Sequence, residues 1–211
     1  MTEQAPDVEK RAVIVEARSS CAIVRINRAA FRNSLSVATL EELDATVSAL
    51  IKQEDTSAIV FTGTGDVFAS GADIRELQTL PHDTAKEFAG RGQQLFQKIA
   101  DARQLTIAAI NGYCMGGGLD LALACDLRCA SPTATFAHPG ARLGIITGWG
   151  GTQRLPGLIG TARAFEMFAT ARRVECREAY EIGLISRIGE PVLDCGVEMA
   201  MALGTKAQII S

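Results

Sequence analysis

The sequence of 211 residues lacks the features of several large classes of protein. It contains two histidines, one tryptophan and six cysteines, and no two cysteines form a CxxC pair. A zinc site needs four converging ligands, so this pattern argues against a metal centre. We expect the cysteines to be reduced and buried, and we expect neither a metal site nor a disulfide scaffold.

An excess of positive charge is also absent. The 21 Lys and Arg face 24 Asp and Glu, which gives a net charge of −3 and no electrostatic footprint for nucleic acid or an anionic membrane. The longest stretches without charge, 104–119 and 129–141, are too short and too rich in glycine or polar residues to span a bilayer. The first eleven residues contain no hydrophobic signal core, so the sequence predicts a soluble cytoplasmic protein.

The pattern of apolar residues predicts an α/β fold. Alternation over 11–17 and 21–27 is typical of a hairpin, and Ser36 is a suitable N-cap for a helix that ends near Gln53. Strands and helices then alternate without a linker, which favours one domain. Further strands are expected over 58–62, 106–111, 127–130 and 184–188, and further helices over 83–102, 116–125, 162–170, 175–182 and 192–203.

One segment, AINGYCMGGGLDLALACD at 109–126, is the most informative for chemistry. A predicted strand ends at Asn111, and Gly116, Gly117 and Gly118 open an apolar helix. Glycines let a ligand approach the backbone, and a helix start presents unpaired N–H groups at the positive end of the dipole. This arrangement can bind an anion or stabilise a developing oxyanion; tight packing of helix on strand is the alternative. Neither Gly-Lys-Ser/Thr nor GxGxxG is present, which excludes the common nucleotide-binding loops.

Two more segments of the sequence contain glycine-bearing loops. They are FASGADI at 68–74 and HPGARLG at 138–144, the latter continuing to GWGGTQR at 148–154. In this order and spacing, with Asn27-Arg28, AAINGYCMGGGLDLALACDLRCA at 108–130 and GGTQRLPGLIG at 150–160, the chain resembles the crotonase (enoyl-CoA hydratase/isomerase) superfamily. The resemblance extends over about residues 12–204.

The resemblance implies a fold and an assembly. The expected fold is an α/β crotonase-like spiral of ββα units, forming a single acyl-CoA-binding domain over 11–211 after a disordered or loosely attached N-terminus at 1–10. Members of the family assemble as trimers, so a homotrimer or dimer of trimers is expected. The family's C-terminal helical section is expected to be shortened, because the sequence stops at Ser211, as in a natural short form, a truncated gene or a fragment.

The resemblance also implies the site. Family members stabilise an enolate at an acyl-CoA thioester, and by position the two oxyanion N–H groups fall on Ala72 and Gly117, with a catalytic carboxylate on Asp120. No cofactor is expected, because coenzyme A is part of the substrate. Trp149 is expected in the wall of the acyl pocket, and Arg28 near a phosphate. The residues expected to bind substrate are Arg28, Ala30, Ser70, Ala72, Asp73, Ile74, Gly116, Gly117 and Gly140.

The acid/base positions depart from the hydratase pattern. The two glutamates that hydratases share fall on Asp120 and Gly140, so one carboxylate is lacking. An aspartate at 120 also resembles the dienoyl-CoA isomerases, whose other carboxylates would fall on Gly140 and Gly148. The gap at Gly140 resembles dihydroxynaphthoyl-CoA synthases, in which bicarbonate or another anion can occupy it, and decarboxylases, which need no base. The GGTQRLPGLIG segment is closer to the hydratase and isomerase branch.

Proton transfer is therefore expected to depend on Asp120. It lies within one turn of Gly117, and partial burial near the substrate is expected to raise its pKa. His138 and Arg142 neighbour the gap, and His138 is a candidate helper because histidine ordinarily titrates near neutral pH. We expect an enoyl-CoA hydratase or isomerase. The alternatives are a crotonase-like decarboxylase or a catalytically impaired protein that binds CoA or serves in assembly.

Overall fold

The computed structural model describes residues 11–204, which form two β-sheets covered by helices. In chain order the strands are β1 (Val13–Arg18), β2 (Cys21–Ile26), β3 (Ala58–Gly63), β4 (Val67–Ala69), β5 (Leu105–Ile110), β6 (Tyr113–Met115), β7 (Leu127–Ala130), β8 (Thr135–Ala137), β9 (Val174–Glu175) and β10 (Arg187–Ile188). The first sheet has the order β1-β2-β3-β5-β7-β10, and the second has the order β4-β6-β8-β9. The region predicted to be a loose N-terminus, 1–10, lies outside the described residues.

The helices cover these sheets and supply the loops of the site. They are α1 (Val37–Leu50), α2 (Ile74–Thr79), α3 (Ala85–Ala100), α4 (Gly117–Ala124), α5 (Gly151–Ile159), α6 (Thr161–Thr170), α7 (Cys176–Glu181) and α8 (Val192–Leu203). Short 3₁₀ turns occur at Ala29–Phe31, His82–Thr84 and Pro139–Leu143. Between residues 11 and 204, none of these helices combines the length and the apolar character that crossing a bilayer would require.

Consecutive strands alternate between the two sheets. The pairs β3–β4, β5–β6 and β7–β8 each place their first strand in the six-stranded sheet and their second in the four-stranded sheet, and helices follow each pair. Neighbouring strands run parallel, apart from the antiparallel pairs β1–β2 and β8–β9. This is the spiral of ββα units that the family resemblance implies.

The hydrophobic core lies on both faces of the first sheet. On one face, aromatic side chains fill the space toward the second sheet and helices α1, α3 and α4; Phe61, Phe68, Phe96 and Phe136 are fully buried there. The other face is covered by α8, whose Val197 and Met199 pack with Val60 and Ile107. Burial of each such side chain stabilises the fold by about 1.5–3 kcal/mol. All six cysteines are buried, as expected.

Local sequence signals account for the elements that were predicted. The Ser36 hydroxyl accepts a hydrogen bond from the Thr39 N–H at 3.2 Å and so caps α1. Residues Ser19 and Ser20 form the turn of the predicted hairpin, and in β1 and β2 Val13 pairs with Ile26. Helix α8 has the predicted bounds.

Two predicted elements differ in the structure. The predicted strand 184–188 is reduced to β10, because Leu184 instead turns back to donate its N–H to the Ala179 carbonyl at the end of α7. The predicted helix 175–182 begins one residue later, since Val174 and Glu175 pair with β8. The short strands β4, β6 and β8 and the helix α5 were not predicted.

The second sheet creates the functional edge. Strands β4, β6 and β8 are parallel neighbours, so their carboxyl ends lie side by side. The chain continues from these ends into the segments that contain Ala72, Gly117 and His138. Three loops far apart in sequence therefore meet at one place.

Candidate active site

A pocket of about 280 Å³ opens where these three loops meet. Backbone from Ser70, Gly71, Gly116 and Gly117 forms one side of it. Most of the remaining wall is apolar, from the side chains of Ile74, Leu77, Leu80, Phe88, Leu143, Ile145, Ile146 and Trp149. This pocket suits a ligand with two parts. Its polar group would meet the glycine loops, and its apolar chain would contact the apolar wall.

The backbone nitrogens of Ala72 and Gly117 lie close together at the pocket. Gly117 is the first residue of α4, so its N–H has no acceptor within the helix. Within residues 11–204, neither this group nor the Ala72 N–H donates a hydrogen bond to another part of the chain. A β-carbon placed on Gly117 would lie 3.5 Å from the Ala72 nitrogen, so the two donors are close neighbours.

Glycine is required at the two residues that precede these donors. Gly71 has φ of +98° and Gly116 has φ of +53°, a region that residues with a β-carbon rarely adopt. A β-carbon on Gly71 would lie 3.0 Å from the Gly117 nitrogen and from the Met115 carbonyl oxygen. These glycines therefore allow the two loops that carry Ala72 and Gly117 to approach each other closely.

Trp149 belongs to the apolar wall of the pocket. Its indole is 3% exposed and packs against Phe88 and Phe96, with ring centroids 5.4 and 5.7 Å away. β-Carbons on Gly92 and Gly117 would each lie 2.3 Å from the indole, so two glycines make the space that it occupies. The expectation that Trp149 lines the pocket is confirmed.

Asp120 lies behind the pocket wall. Its side chain is fully buried and is not part of the lining, whereas its neighbours Thr147 and Trp149 are. The Thr147 hydroxyl donates to the Asp120 Oδ2. Burial raises the pKa of Asp120 to about 6, although the Thr147 hydroxyl and the N–H groups of Trp149 and Gly151 act in the opposite direction. The raised pKa expected from the sequence is present.

His138 requires a correction. The sequence suggested a helper that titrates near neutral pH, but burial lowers the pKa of His138 to about 4, so the imidazole is neutral at pH 7. The ring lines the pocket and packs against Phe168 with a centroid distance of 4.9 Å. Its Nε2 lies 3.6 Å from the Asp120 Oδ1, which is longer than a hydrogen bond.

The gap at Gly140 also requires a correction. A β-carbon on Gly140 would lie 2.5 Å from the Ile145 carbonyl oxygen, and the Ile145 N–H donates to the Gly140 carbonyl at 3.0 Å. The space of the missing side chain is therefore occupied by the loop itself. Because a carbonyl oxygen repels negative charge, this position does not suit bicarbonate or another anion.

The predicted CoA-binding residues form a second group beside Ala72. The Leu35 N–H donates to the Gly71 carbonyl at 2.8 Å. This hydrogen bond connects the segment 28–35, which contains Arg28 and Ala30, to the loop of Ala72. The Arg28 guanidinium donates to the Ser34 carbonyl at 2.7 Å and lies 3.8 Å from the Asp73 carboxylate. Arg28, Ala30 and Asp73 do not line the pocket, while Ser70, Ala72, Ile74, Gly116, Gly117 and Gly140 do.

The carboxylate of Asp73 stabilises the loop that carries Ala72. It caps α2 by accepting from the Arg75 N–H at 3.2 Å, and it also accepts from the Ser34 hydroxyl at 3.1 Å. The hydrogen bond from the Arg75 guanidinium lowers the pKa of Asp73 to about 2. Asp73 is thus negatively charged across the physiological range and fixed in place.

The sequence reasoning missed Thr147. A threonine in a glycine-rich loop carries no signal of function, and its contact with Asp120 arises only when the loop 144–150 folds over α4. A threonine hydroxyl both donates and accepts hydrogen bonds, so Thr147 can contact Asp120 and the pocket at once.

Comparison with known proteins agrees with this geometry. The family model for enoyl-CoA hydratase/isomerase matches residues 16–208. The short-chain-enoyl-CoA hydratase of Clostridium acetobutylicum is 34% identical over 205 residues, which is 96% of this chain and 78% of that protein. The crotonyl-CoA hydratase of Syntrophomonas wolfei is 39% identical over 180 residues, 85% of this chain and 69% of that protein.

Solved structures show the same fold. The enoyl-CoA hydratase from Bacillus anthracis superposes with a TM-score of 0.88 at 34% identity, covering 91% of this chain and 76% of that one. DspI of Pseudomonas aeruginosa gives a TM-score of 0.88 at 33% identity, covering 95% of this chain and 83% of that one. The chain therefore belongs to the enoyl-CoA hydratase/isomerase family.

Proposed function

We propose that the protein is an enoyl-CoA hydratase that adds water to the double bond of a short 2-enoyl-CoA thioester. The observation that carries the proposal is the pair of adjacent, free N–H groups of Ala72 and Gly117 at the edge of an apolar pocket. Relatives named as hydratases of short-chain enoyl-CoA and of crotonyl-CoA support it.

The two donors match the charge that develops in this reaction. When a nucleophile adds to the β-carbon of an enoyl thioester, the thioester oxygen gains negative charge as the enolate forms. Donors fixed at that oxygen stabilise the transition state more than the substrate, which is what catalysis requires. Ala72 and Gly117 are held by rigid backbone, so they need no reorganisation during the reaction.

Asp120 supplies the acid/base group of the proposal. With a pKa of about 6, its carboxyl exists in both forms near neutral pH, so it can accept a proton and return it. Its depth behind Thr147 and Trp149 means that protons must cross the pocket wall to reach it.

The apolar wall supports a short acyl group as substrate. Trp149 lines this apolar wall and packs against Phe88 and Phe96. Coenzyme A would extend from the thioester along Arg28, Ala30 and the segment from Ser70 to Ile74. Because hydration changes no oxidation state, no redox cofactor takes part.

Assembly as a homotrimer or dimer of trimers, and a cytoplasmic location, belong to the same proposal. Exposed apolar side chains on α5, α6 and α7, namely Leu158, Phe165 and Tyr180, provide surface that contacts between subunits would cover. Light scattering tests the assembly, and a stable monomer would contradict it.

A panel of acyl-CoA thioesters tests the function. Loss of the conjugated thioester absorbance with 2-enoyl-CoA substrates of increasing chain length should be fastest for short chains. Gain of that absorbance with 3-enoyl-CoA would indicate an isomerase instead, and carbon dioxide release from a malonyl-type thioester would indicate a decarboxylase. Binding of CoA thioesters without any turnover would support an impaired binding protein.

A further inference from the structure

The buried position of Asp120 poses a specific problem for proton transfer. Its side chain is 0% exposed and contributes nothing to the pocket wall. Two side chains that do line the pocket lie next to the carboxylate, Thr147 and His138. These two side chains are the candidates for a route by which protons cross.

His138 is the poorer route. Its Nε2 is 3.6 Å from the Asp120 Oδ1 and makes no hydrogen bond with it, and neither ring nitrogen has a partner within the described part of the chain. Burial keeps the imidazole neutral, since its pKa is about 4. A proton passing through it would create a buried imidazolium, which is costly without a bonded partner.

Thr147 meets the requirements for a relay. Its hydroxyl already donates to the Asp120 Oδ2, and a hydroxyl that donates one hydrogen bond keeps lone pairs that can accept another. The residue lines the apolar pocket and also borders a polar pocket of about 540 Å³, lined by residues that include Gln93, Gln97 and Arg154. Thr147 thus lies where water from the polar side can meet an acyl group on the apolar side.

We propose that Thr147 is a catalytic residue whose hydroxyl carries protons between the pocket and the buried Asp120 carboxylate. This proposal rests on the proposed hydratase function. It assigns a proton pathway to a chain that has a carboxylate at Asp120 but a glycine, Gly140, at the position of the second hydratase glutamate.

The proposed step is balanced in atoms and electrons. The water oxygen forms a bond to the β-carbon, and the π electrons of the double bond move toward the thioester oxygen held by Ala72 and Gly117. A proton of that water passes to the Thr147 Oγ1 while the hydroxyl proton of Thr147 passes to the Asp120 Oδ2. The proton then returns by the same route to the α-carbon as the enolate collapses. The net change is addition of one water molecule, with no oxidant or reductant.

The charged and titratable groups around the carboxylate define how the relay depends on pH. Arg154 on α5 favours the ionised form of Asp120, and His138 is neutral above pH 4. Burial raises the pKa of the Cys114 thiol on β6 well above its ordinary value, so it is also neutral. Removal of the Thr147 hydroxyl removes one of the interactions that lower the pKa of Asp120.

Three variants test the relay. Thr147→Val keeps the shape of the side chain without the hydroxyl, and should lower kcat for 2-enoyl-CoA hydration on the order of a hundredfold or more, with little change in KM. Thr147→Ser restores a hydroxyl and should recover most of the activity. Thr170→Val is the matched control, because the exposed Thr170 hydroxyl lies outside the pocket lining, where it donates to the Glu166 carbonyl 2.7 Å away and accepts from the Arg172 N–H at 3.3 Å.

The pH profile separates a relay from a structural role. The acidic limb of kcat/KM should move to higher pH in Thr147→Val and return in Thr147→Ser, because valine lacks the hydroxyl that helps to lower the pKa of Asp120 and serine restores it. If Thr147→Val fails to fold by circular dichroism, Thr147→Ala provides the same comparison with a smaller side chain.

The outcomes distinguish this proposal from the function on which it rests. A wild-type protein that hydrates no 2-enoyl-CoA would overturn both. An active wild type whose Thr147→Val variant keeps its kcat and its pH profile would overturn the relay alone. A Thr147→Ser variant as inactive as Thr147→Val would also overturn it.

Discussion

The Nε2 of His138 lies 3.6 Å from the Oδ1 of Asp120, and no hydrogen bond joins these two buried groups. Burial acts on them in opposite directions. It raises the pKa of Asp120 from 3.8 to about 6 and lowers that of His138 from 6.5 to about 4. At neutral pH the pair therefore consists of a carboxylate and a neutral imidazole, and each ionisation contributes its own pH dependence to stability.

The first prediction concerns that dependence. As pH rises from about 4 to 6, the unfolded chain loses the Asp120 proton before the folded one does, so this group lowers the free energy of unfolding. His138 has the reverse sign, because between pH 4 and 6.5 the unfolded chain binds its proton and the folded one does not. In the wild type the two contributions oppose each other.

Substitutions should separate the two contributions. Asp120→Asn should be more stable than the wild type at pH 7 by roughly 2–3 kcal/mol, since a shift of one unit corresponds to about 1.4 kcal/mol. Its stability should rise between pH 4 and 6.5, whereas that of His138→Phe should fall between pH 4 and 6. Urea denaturation across this range measures both, and parallel curves for all three proteins would contradict the assignment.

The second prediction is that the same Asp120→Asn variant is catalytically poor. Asparagine keeps the size and the acceptor for the Thr147 hydroxyl but cannot take up a proton, so turnover of 2-enoyl-CoA should fall at least about a hundredfold. Binding of CoA thioesters, measured by calorimetry, should remain unchanged. Parental turnover in this variant would remove Asp120 from the proton pathway.

Gain of stability with loss of activity would be informative in itself. A buried carboxylate with a raised pKa lowers the free energy of unfolding. Functional groups commonly reduce stability in this way. A change of Asp to Asn at an exposed position would not be expected to raise stability and lower activity together.

The third prediction tests the Gly117 donor. Gly117→Pro removes the N–H, and proline is tolerated at the first position of a helix. Its β-carbon would meet the Trp149 indole, but so would that of Gly117→Ala, which keeps the N–H. Turnover should therefore be lower in the proline variant than in the alanine variant by about a hundredfold or more.

A control separates the effect on the indole. Trp149→Phe keeps an aromatic wall and should retain most of the turnover, with chain-length preference as the main change. Equal activity of the Gly117→Pro and Gly117→Ala variants would show that the N–H does not stabilise the oxyanion.

The fold could be predicted from the sequence where a signal is long enough to be read. The β1–β2 hairpin, the Ser36 cap of α1 and the whole of α8 follow from periodicity and capping. The strands β4, β6 and β8 have three residues each, which is too short for an alternating pattern. Helix α5 contains Pro156 and begins at glycines, both of which argue against a helix in sequence.

The glycine-bearing loops of the site could be predicted from the sequence. The burial of its side chains could not. The run Gly116–Gly118 marked the loop of Gly117 in the sequence, and the family resemblance placed the other donor on Ala72; the structure adds the positive φ of Gly71 and Gly116. The burial of Asp120 and His138, and the contact between Thr147 and Asp120, arise from loops of three separate units. No local pattern reports how deep a side chain will lie.

The last prediction uses two glycines of one helix. Gly90 and Gly92 both lie within α3, where glycine costs about 0.5–1 kcal/mol relative to alanine. A β-carbon on Gly90 would meet nothing within 4 Å, so Gly90→Ala should stabilise the protein by about that amount. A β-carbon on Gly92 would lie 2.3–2.5 Å from three atoms of the Trp149 indole, so Gly92→Ala should destabilise it.

Trp149 itself reports the difference, because it is the only tryptophan in the chain. Its emission should be unchanged in Gly90→Ala and shifted in Gly92→Ala, where the ring must leave its place between Phe88 and Phe96. Displacement of the indole would also alter the wall of the pocket, so under the proposed function Gly92→Ala should change the preferred chain length while Gly90→Ala should not. If Gly92→Ala kept both the emission and the stability of the wild type, the indole would not occupy the space that this glycine leaves.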